Sequence, residues 1–196
     1  MTGDGTLAIE SVQRRQTSER SVAEYALLGL IAKSESGEIH GYDLSRSFAG
    51  SGLGRILRLE PGMLYHYLKK MVRDDLITST VERQTGRPDR QVHSLTRDGR
   101  DALQSWISAP VRATREVRLD FLVKLYLARG LDPVRAATLV ADQRAVMRSR
   151  AARLSEQVDD AQGDDLDNAF GDTVLRLRLS QTRAALDWLD TLPESR

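Results

Sequence analysis

Apolar and polar positions follow different rhythms along the chain. Residues 1–20 show no sustained period, only Gly, Thr, Ser, Gln and Arg with scattered apolar positions, and read as an N-terminal arm. From Ser21 the pattern changes. The run SVAEYALLGLIAKS is apolar almost all round, the mark of a buried helix. Ser21, with Glu24 three residues on, makes a capping box at its start. Ser36, Gly37 and Glu38 form a break. A short helix follows from Tyr42 to Phe48, with Leu44 and Phe48 four apart on one face, and Gly50-Ser51-Gly52-Leu53-Gly54 reads as a loop. Pro61 opens a third helix, where its missing N–H costs nothing. Leu64, Leu68 and Met71 or Val72 recur at helical spacing and face a core. Tyr65, His66, Lys69, Lys70 and Arg73 take the remaining faces, and the helix ends near Asp74 and Asp75.

The period then shortens. Leu76 to Val81 is rich in β-branched residues and reads as a strand, Gln84 to Asp89 as a turn, and Arg90 to Leu95 as a second strand, together a β-hairpin. Thr96 caps the next helix, with Gly99 in its first turn, through Leu103, Trp106 and Ile107 to Pro110. From Arg112 onward there is no strand signal. A helix from Glu116 to Arg129 is apolar on most faces and ends at Gly130. Asp132-Pro133 caps a long helix to about Asp159, in which Val140, Met147 and Leu154 repeat at seven, the seam of a coiled-coil-like contact. Asp159 to Asp172 is acidic and reads as a loop. The last helix, from about Thr173 to Leu192, carries two apolar stripes and so packs on two partners, a second subunit being one; both faces packing within one chain is the competing reading. The organisation expected is an arm (1–20), a winged domain (21–110) and a helical domain (111–196). The fold class is mainly α, with a two-stranded β-wing.

Composition narrows the chemistry. With 196 residues, 40% apolar and 29% charged, the chain can bury a core. No apolar run approaches the roughly 20 residues of a membrane span. Cysteine is absent, which removes disulfides and thiolate sites. His40, His66 and His93, the only histidines, show no metal-ligand spacing with Asp or Glu, and no nucleotide-binding or nucleophile motif is present. The expectation is a cytoplasmic protein that is no enzyme and holds no metal or cofactor. Net charge is +1, from 29 Lys and Arg against 28 Asp and Glu. The distribution is uneven, for basic residues outnumber acidic ones between Arg55 and Arg100.

Three helices and then a hairpin, in that order, is the winged helix-turn-helix arrangement. A third helix exposing Tyr, His and Lys suits a major groove about 12 Å wide, and its N-terminus suits a phosphate. The wing from Arg83 to Arg90 brings three arginines near one turn. The candidate DNA-binding residues are Tyr42, Pro61, Gly62, Tyr65, His66, Lys69, Lys70, Arg73, Arg87 and Arg90. Lys69 and Lys70 are adjacent, so only one can point squarely at a duplex. Arg14, Arg15 and Arg20 of the arm could touch a polyanion or be solvated. The candidate dimerisation residues are Leu119, Leu122, Tyr126, Val140, Met147, Leu154, Leu177 and Trp188. Trp106, on the connecting helix, is placed either to stack on a flat ligand or to pack in a dry core.

The segments His40-Gly41-Tyr42-Asp43-Leu44, Pro61-Gly62-Met63-Leu64-Tyr65 with Leu68, Gly86-Arg87-Pro88-Asp89-Arg90, and Leu95-Thr96-Arg97-Asp98-Gly99 resemble, in order, signature stretches of the PadR family of bacterial transcriptional regulators. The helical stretch from Arg118 onward resembles the C-terminal domain of longer members. The resemblance implies a homodimeric regulator of double-stranded DNA, usually a repressor, dimerised through its C-terminal helices. In some members the effector is a phenolic or multidrug-like compound, so a small planar or phenolic effector is a further expected partner. The chain departs from the pattern at Met63 (usually Thr), His66 (usually Pro), Asp75 (commonly Gly) and His93 (usually Tyr), and Glu60 brings negative charge beside the third helix. A protein-interaction module that reuses a winged helix without sequence-specific DNA binding is the alternative function.

Overall fold

The structure is a computed structural model and describes residues 20–83, 90–160 and 166–193. Residues 1–19 of the expected arm (1–20) and the wing turn with Arg87 lie outside the described residues. The chain divides into two compact units, Met1–Ile107 and Ser108–Arg196.

The first unit is built on α1 (Val22–Ala32), whose Tyr25, Ala26, Leu27, Leu28 and Ile31 are fully buried. Its capping box forms as the sequence implies. The Ser21 N–H donates to Glu24 Oε2 at 2.8 Å, and the Glu24 N–H donates to Ser21 Oγ at 3.3 Å. After α1 the chain makes β1 (Glu38–His40), α2 (Gly41–Gly50), α3 (Leu53–Ile56), α4 (Pro61–Arg73), β2 (Ile77–Glu82), β3 (Arg90–Leu95) and α5 (Arg97–Ser108). Leu44, Phe48, Leu53, Leu64, Leu68, Met71, Leu76, Ile77, Leu95 and Leu103 complete the core.

Two features differ from the expectation. The sheet has three strands in the order β1-β3-β2, all antiparallel, with Ile39 opposite His93 and Ile77 opposite Leu95. The strand β1 falls where a break was expected. Three residues carry no period of their own, and it is the open edge of β3 that holds them extended. The glycine-rich stretch expected as a loop instead ends α2 at Gly50 and starts α3 at Leu53.

The junction after α4 explains two motif positions. Asp75 has φ 55°, a left-handed conformation that Asp tolerates and Gly adopts without cost. Thr96 Oγ1 donates to the Asp75 carbonyl at 2.7 Å and accepts from the Gly99 N–H at 2.9 Å. A Cβ on Gly99 would lie 2.0 Å from the Leu76 carbonyl oxygen, so only glycine lets α5 start against this turn.

The second unit comprises α6 (Thr114–Glu116), one π-helical turn (Val117–Phe121), α7 (Leu122–Leu131), α8 (Pro133–Asp159) and α9 (Leu166–Asp190). The helix expected from Glu116 is thus interrupted by a wider turn, and it runs past Gly130. The loop expected up to Asp172 is shorter, because α9 begins at Leu166. Asp132 caps α8 as expected, accepting from the Arg135 N–H at 3.1 Å. Helices α8 and α9 run antiparallel. Leu154 and Val158 pack with Leu179 at one end, and Arg144 meets Asp190 at 3.1 Å near the other. Arg144 also donates to the carbonyls of Leu189 (2.8 Å) and Leu192 (3.2 Å), closing the last turn of α9. The segment 108–113 is held to this unit through its backbone. Gln143, fully buried, accepts from the Val111 N–H at 2.7 Å and donates to its carbonyl at 2.9 Å. Lys124 Nζ donates to the Ala109 carbonyl at 2.6 Å, and Glu116 accepts from the N–H groups of Arg112 and Ala113.

Candidate nucleic-acid interface

The helix α4 divides cleanly. Leu64, Leu68 and Met71 are buried, while Pro61, Gly62, Met63, Tyr65, His66, Lys69 and Arg73 are exposed. A Cβ on Gly62 would meet no atom within 4 Å, so the chain's own packing does not require glycine there. Gly41 is different. A Cβ there would come within 3.0 Å of the Tyr65 ring, so α2 begins where α4 presents its tyrosine. Tyr42, the next residue, is 69% exposed. The structure therefore brings Tyr42, Gly62, Tyr65, His66, Lys69 and Arg73 to the surface of the helix-turn-helix.

Lys70 is not one of that set. Its Nζ lies 3.0 Å from a carboxylate oxygen of Glu24, which is 1% exposed on α1. The lysine therefore ties α4 to α1 and is half-buried itself. The choice between adjacent lysines, open in the sequence, falls to Lys69 for the surface. Arg73 is exposed and lies 3.5 Å from Asp74.

At the wing, Arg90 is exposed and stands opposite Glu82 in the last pair of the β2–β3 ladder before the turn. His40 Nε2 is 3.4 Å from Glu82 Oε2. His93, on the central strand, is buried, and that burial, followed by repulsion from His40, pushes its pKa below the ordinary histidine value. Arg46, Arg55 and Arg58 are further exposed cations on α2, α3 and the segment before α4 that the candidate set did not include. The signal was there in the local excess of arginine, without periodicity to place it.

The dimerisation candidates separate into three groups. Val140, Met147 and Leu154 are buried inside the single chain, so the heptad seam is filled in cis, as the pairing of Leu154 with Leu179 shows. This corrects the expectation that the seam faces a partner. A seven-residue repeat demands a neighbouring helix, and for Leu154 α9 supplies it by folding back. Leu122, Tyr126 and Trp188 are half-buried, and Trp188 lies edge-on to Phe121 at 6.1 Å. Leu119 and Leu177 are exposed, and Phe170, 66% exposed at the start of α9, joins them although the sequence reading left it in a loop. Trp106 lies flat on Tyr25, with ring centroids 4.4 Å apart and planes 4° apart, so one of its faces is already taken. Among the described residues no group of histidine and carboxylate side chains has the geometry of a metal site, and no helix is long and apolar enough to cross a membrane.

A buried first helix, a helix-turn-helix with an exposed polar face, a small antiparallel sheet and a following all-helical unit define a winged helix-turn-helix regulator. The sequence model of the transcriptional regulator PadR-like family matches residues 27–105, and that of the virulence activator alpha C-terminal region matches residues 117–194. The chain is 30% identical over 135 residues to the negative transcriptional regulator PadR of Bacillus subtilis (strain 168), covering 69% of this chain and 70% of that one. It is also 30% identical over 171 residues to a protein of Mycobacterium tuberculosis named "Probable transcriptional regulator Rv1176c", covering 79% of this chain and 88% of that one. The crystal structure of Bacillus subtilis PadR in complex with operator DNA aligns with a TM-score of 0.44 at 24% identity, over 87% of this chain and 96% of that one. The chain belongs to the PadR-like family of transcriptional regulators.

Proposed function

We propose that this protein is a cytoplasmic repressor that binds a two-fold symmetric operator as a homodimer, laying α4 in the major groove and the wing, residues 83–90, along the phosphates. The observation that carries the reading is the outer face of α4. Gly62, His66, Lys69 and Arg73 lie exposed there, with Leu64, Leu68 and Met71 buried behind them. Histidine and lysine offer donors to base acceptors in the groove. Arg46, Arg55, Arg58 and Arg90, exposed on the same unit, add charge suited to phosphates. In keeping with the family trait named above, a small planar or phenolic effector relieves repression, and Trp106 is the fluorophore closest in chain to the change of unit.

The test is footprinting of the purified full chain on the region upstream of its own gene. The expected result is a protected inverted repeat whose half-sites are centred one helical turn apart, roughly 34–36 Å, or a multiple of it. Binding should weaken steeply with salt, because phosphate contacts release counterions. Folded protein that protects no inverted repeat, or whose affinity is indifferent to salt, would overturn the reading.

A further inference from the structure

Met63 stands out on the proposed DNA-binding face. It is a long apolar side chain, 46% exposed, in the first turn of α4. About half of its surface faces water, a poor environment for it. Its companions are polar. His66 lies three residues on, hence on the same flank of the helix, and Lys69 follows one turn later, both exposed. Two other exposed side chains of α4 have different settings. Tyr65 abuts Gly41 of α2, and Val72 lies in the last turn, beside Asp74 and Asp75.

A helix that enters a major groove leads with its N-terminal residues. The groove offers hydrogen-bond acceptors and donors to polar side chains, and it offers one apolar group, the C5-methyl of thymine. A thioether is at best a weak acceptor and carries no donor, so neither a phosphate nor a base edge gains much from it. Its flexible, polarisable chain is suited to close on a methyl group. We infer that Met63 is a specificity-determining residue that reads the C5-methyl of a thymine in each half-site, while His66 and Lys69 address the polar edges beside it. The inference rests on the operator-binding reading above and adds to it a named base group.

The experiment separates the two. Duplexes that bind the full-length protein are enriched from a random pool, and each thymine of the recovered half-site is replaced in turn by deoxyuridine. That change removes one methyl and leaves every hydrogen-bonding group in place. At one thymine per half-site uracil should weaken binding about fourfold, the worth of about one buried methyl group. Met63→Ala should bind the thymine and uracil duplexes equally at that position. Met63→Leu should keep the difference, and neither variant should change the salt dependence, since no phosphate contact is lost. The unmodified protein already carries the first half of the test, so the result does not hang on a variant folding. An enriched duplex bound equally well with uracil at every thymine overturns the inference alone. So does a uracil effect that persists undiminished in Met63→Ala. A pool that yields no enriched duplex overturns the operator-binding reading, and the inference with it.

Discussion

Gly62 is exposed in the first turn of α4, and nothing in the chain approaches the place where its Cβ would be. Glycine in a helix costs about 0.5–1 kcal/mol relative to alanine. In the proposed complex that missing Cβ is the space into which a phosphodiester backbone comes close. Gly62→Ala should therefore raise the unfolding free energy of the isolated protein by about 0.5 kcal/mol or more while weakening operator binding at least about tenfold. Denaturant unfolding and binding titrations on the same preparation check both signs. The two lysines give a second contrast. Lys69→Met should weaken operator binding about tenfold and relax its sequence preference, as loss of one base contact does. Lys70→Met should leave that preference alone and instead lower the melting temperature, because it strands the buried Glu24 carboxylate. Nothing in the local sequence distinguishes Lys69 from Lys70. The distinction comes from a glutamate 46 positions earlier, and only the folded core brings the two together.

At the scale of elements, long periodic segments declared themselves and short ones did not. The capping box of α1, the proline start of α4, strand β3 and the Asp132 cap of α8 were all legible, because each depends on residues within one or two turns. The three-residue β1 was not, for it exists through β3, remote in sequence, and neither the wide turn at Val117–Phe121 nor the early start of α9, where Phe170 is exposed, left a mark in the apolar pattern. The heptad of α8 was read correctly as a seam and wrongly as to its partner, since periodicity specifies a neighbouring helix without saying which chain supplies it. The helical unit also holds a titratable element that hydropathy conceals. Lys124 lies on an apolar helix, 5% exposed, and burial brings its pKa down to about 8 from 10.5 despite the opposing pull of Asp120 and Glu116. Its folded pKa lies below the unfolded one, so its contribution to stability is fully present above about pH 10.5 and is lost as pH falls through about 8. From pH 7 to pH 10 the wild type should gain stability relative to Lys124→Met, and melting curves of the pair across that range check the sign.

For the whole molecule, the surface left over after α8 and α9 pair is the proposed contact between subunits. Phe170 and Leu177 lie seven residues apart on α9, both more than half exposed, and thus on one face. The opposite face, with Leu179 and Leu189, is buried. Of the two stripes expected from the sequence, the one with Leu179 and Leu189 is buried within the chain, and Leu177 of the other is exposed. Phe170→Asp with Leu177→Asp should give a folded protein of unchanged melting temperature that sediments as a monomer. Its operator affinity should fall at least about a hundredfold, because each half-site is then bound without the effective concentration that linkage supplies. Sedimentation and titration on one variant check the pair of outcomes. A double variant that still sediments as a dimer would exclude this face.

The backbone of residues 108–113 carries a consequence for degradation. A stretch joining two compact units is ordinarily where a protease cuts first, since cleavage needs several residues drawn out into an extended strand. Here Gln143 grips both backbone groups of Val111, Lys124 takes the Ala109 carbonyl, and Glu116 accepts the amide of Arg112 itself. The side chain of Arg112 is exposed to trypsin, but its peptide bond cannot be pulled into the enzyme's cleft without breaking those bonds. Brief native digestion should leave the Arg112–Ala113 bond intact. Gln143→Ala, which releases Val111, should make it a principal early cut, as mass spectrometry of the fragments would show. A joint so tied keeps the two halves of the regulator from being separated by proteolysis.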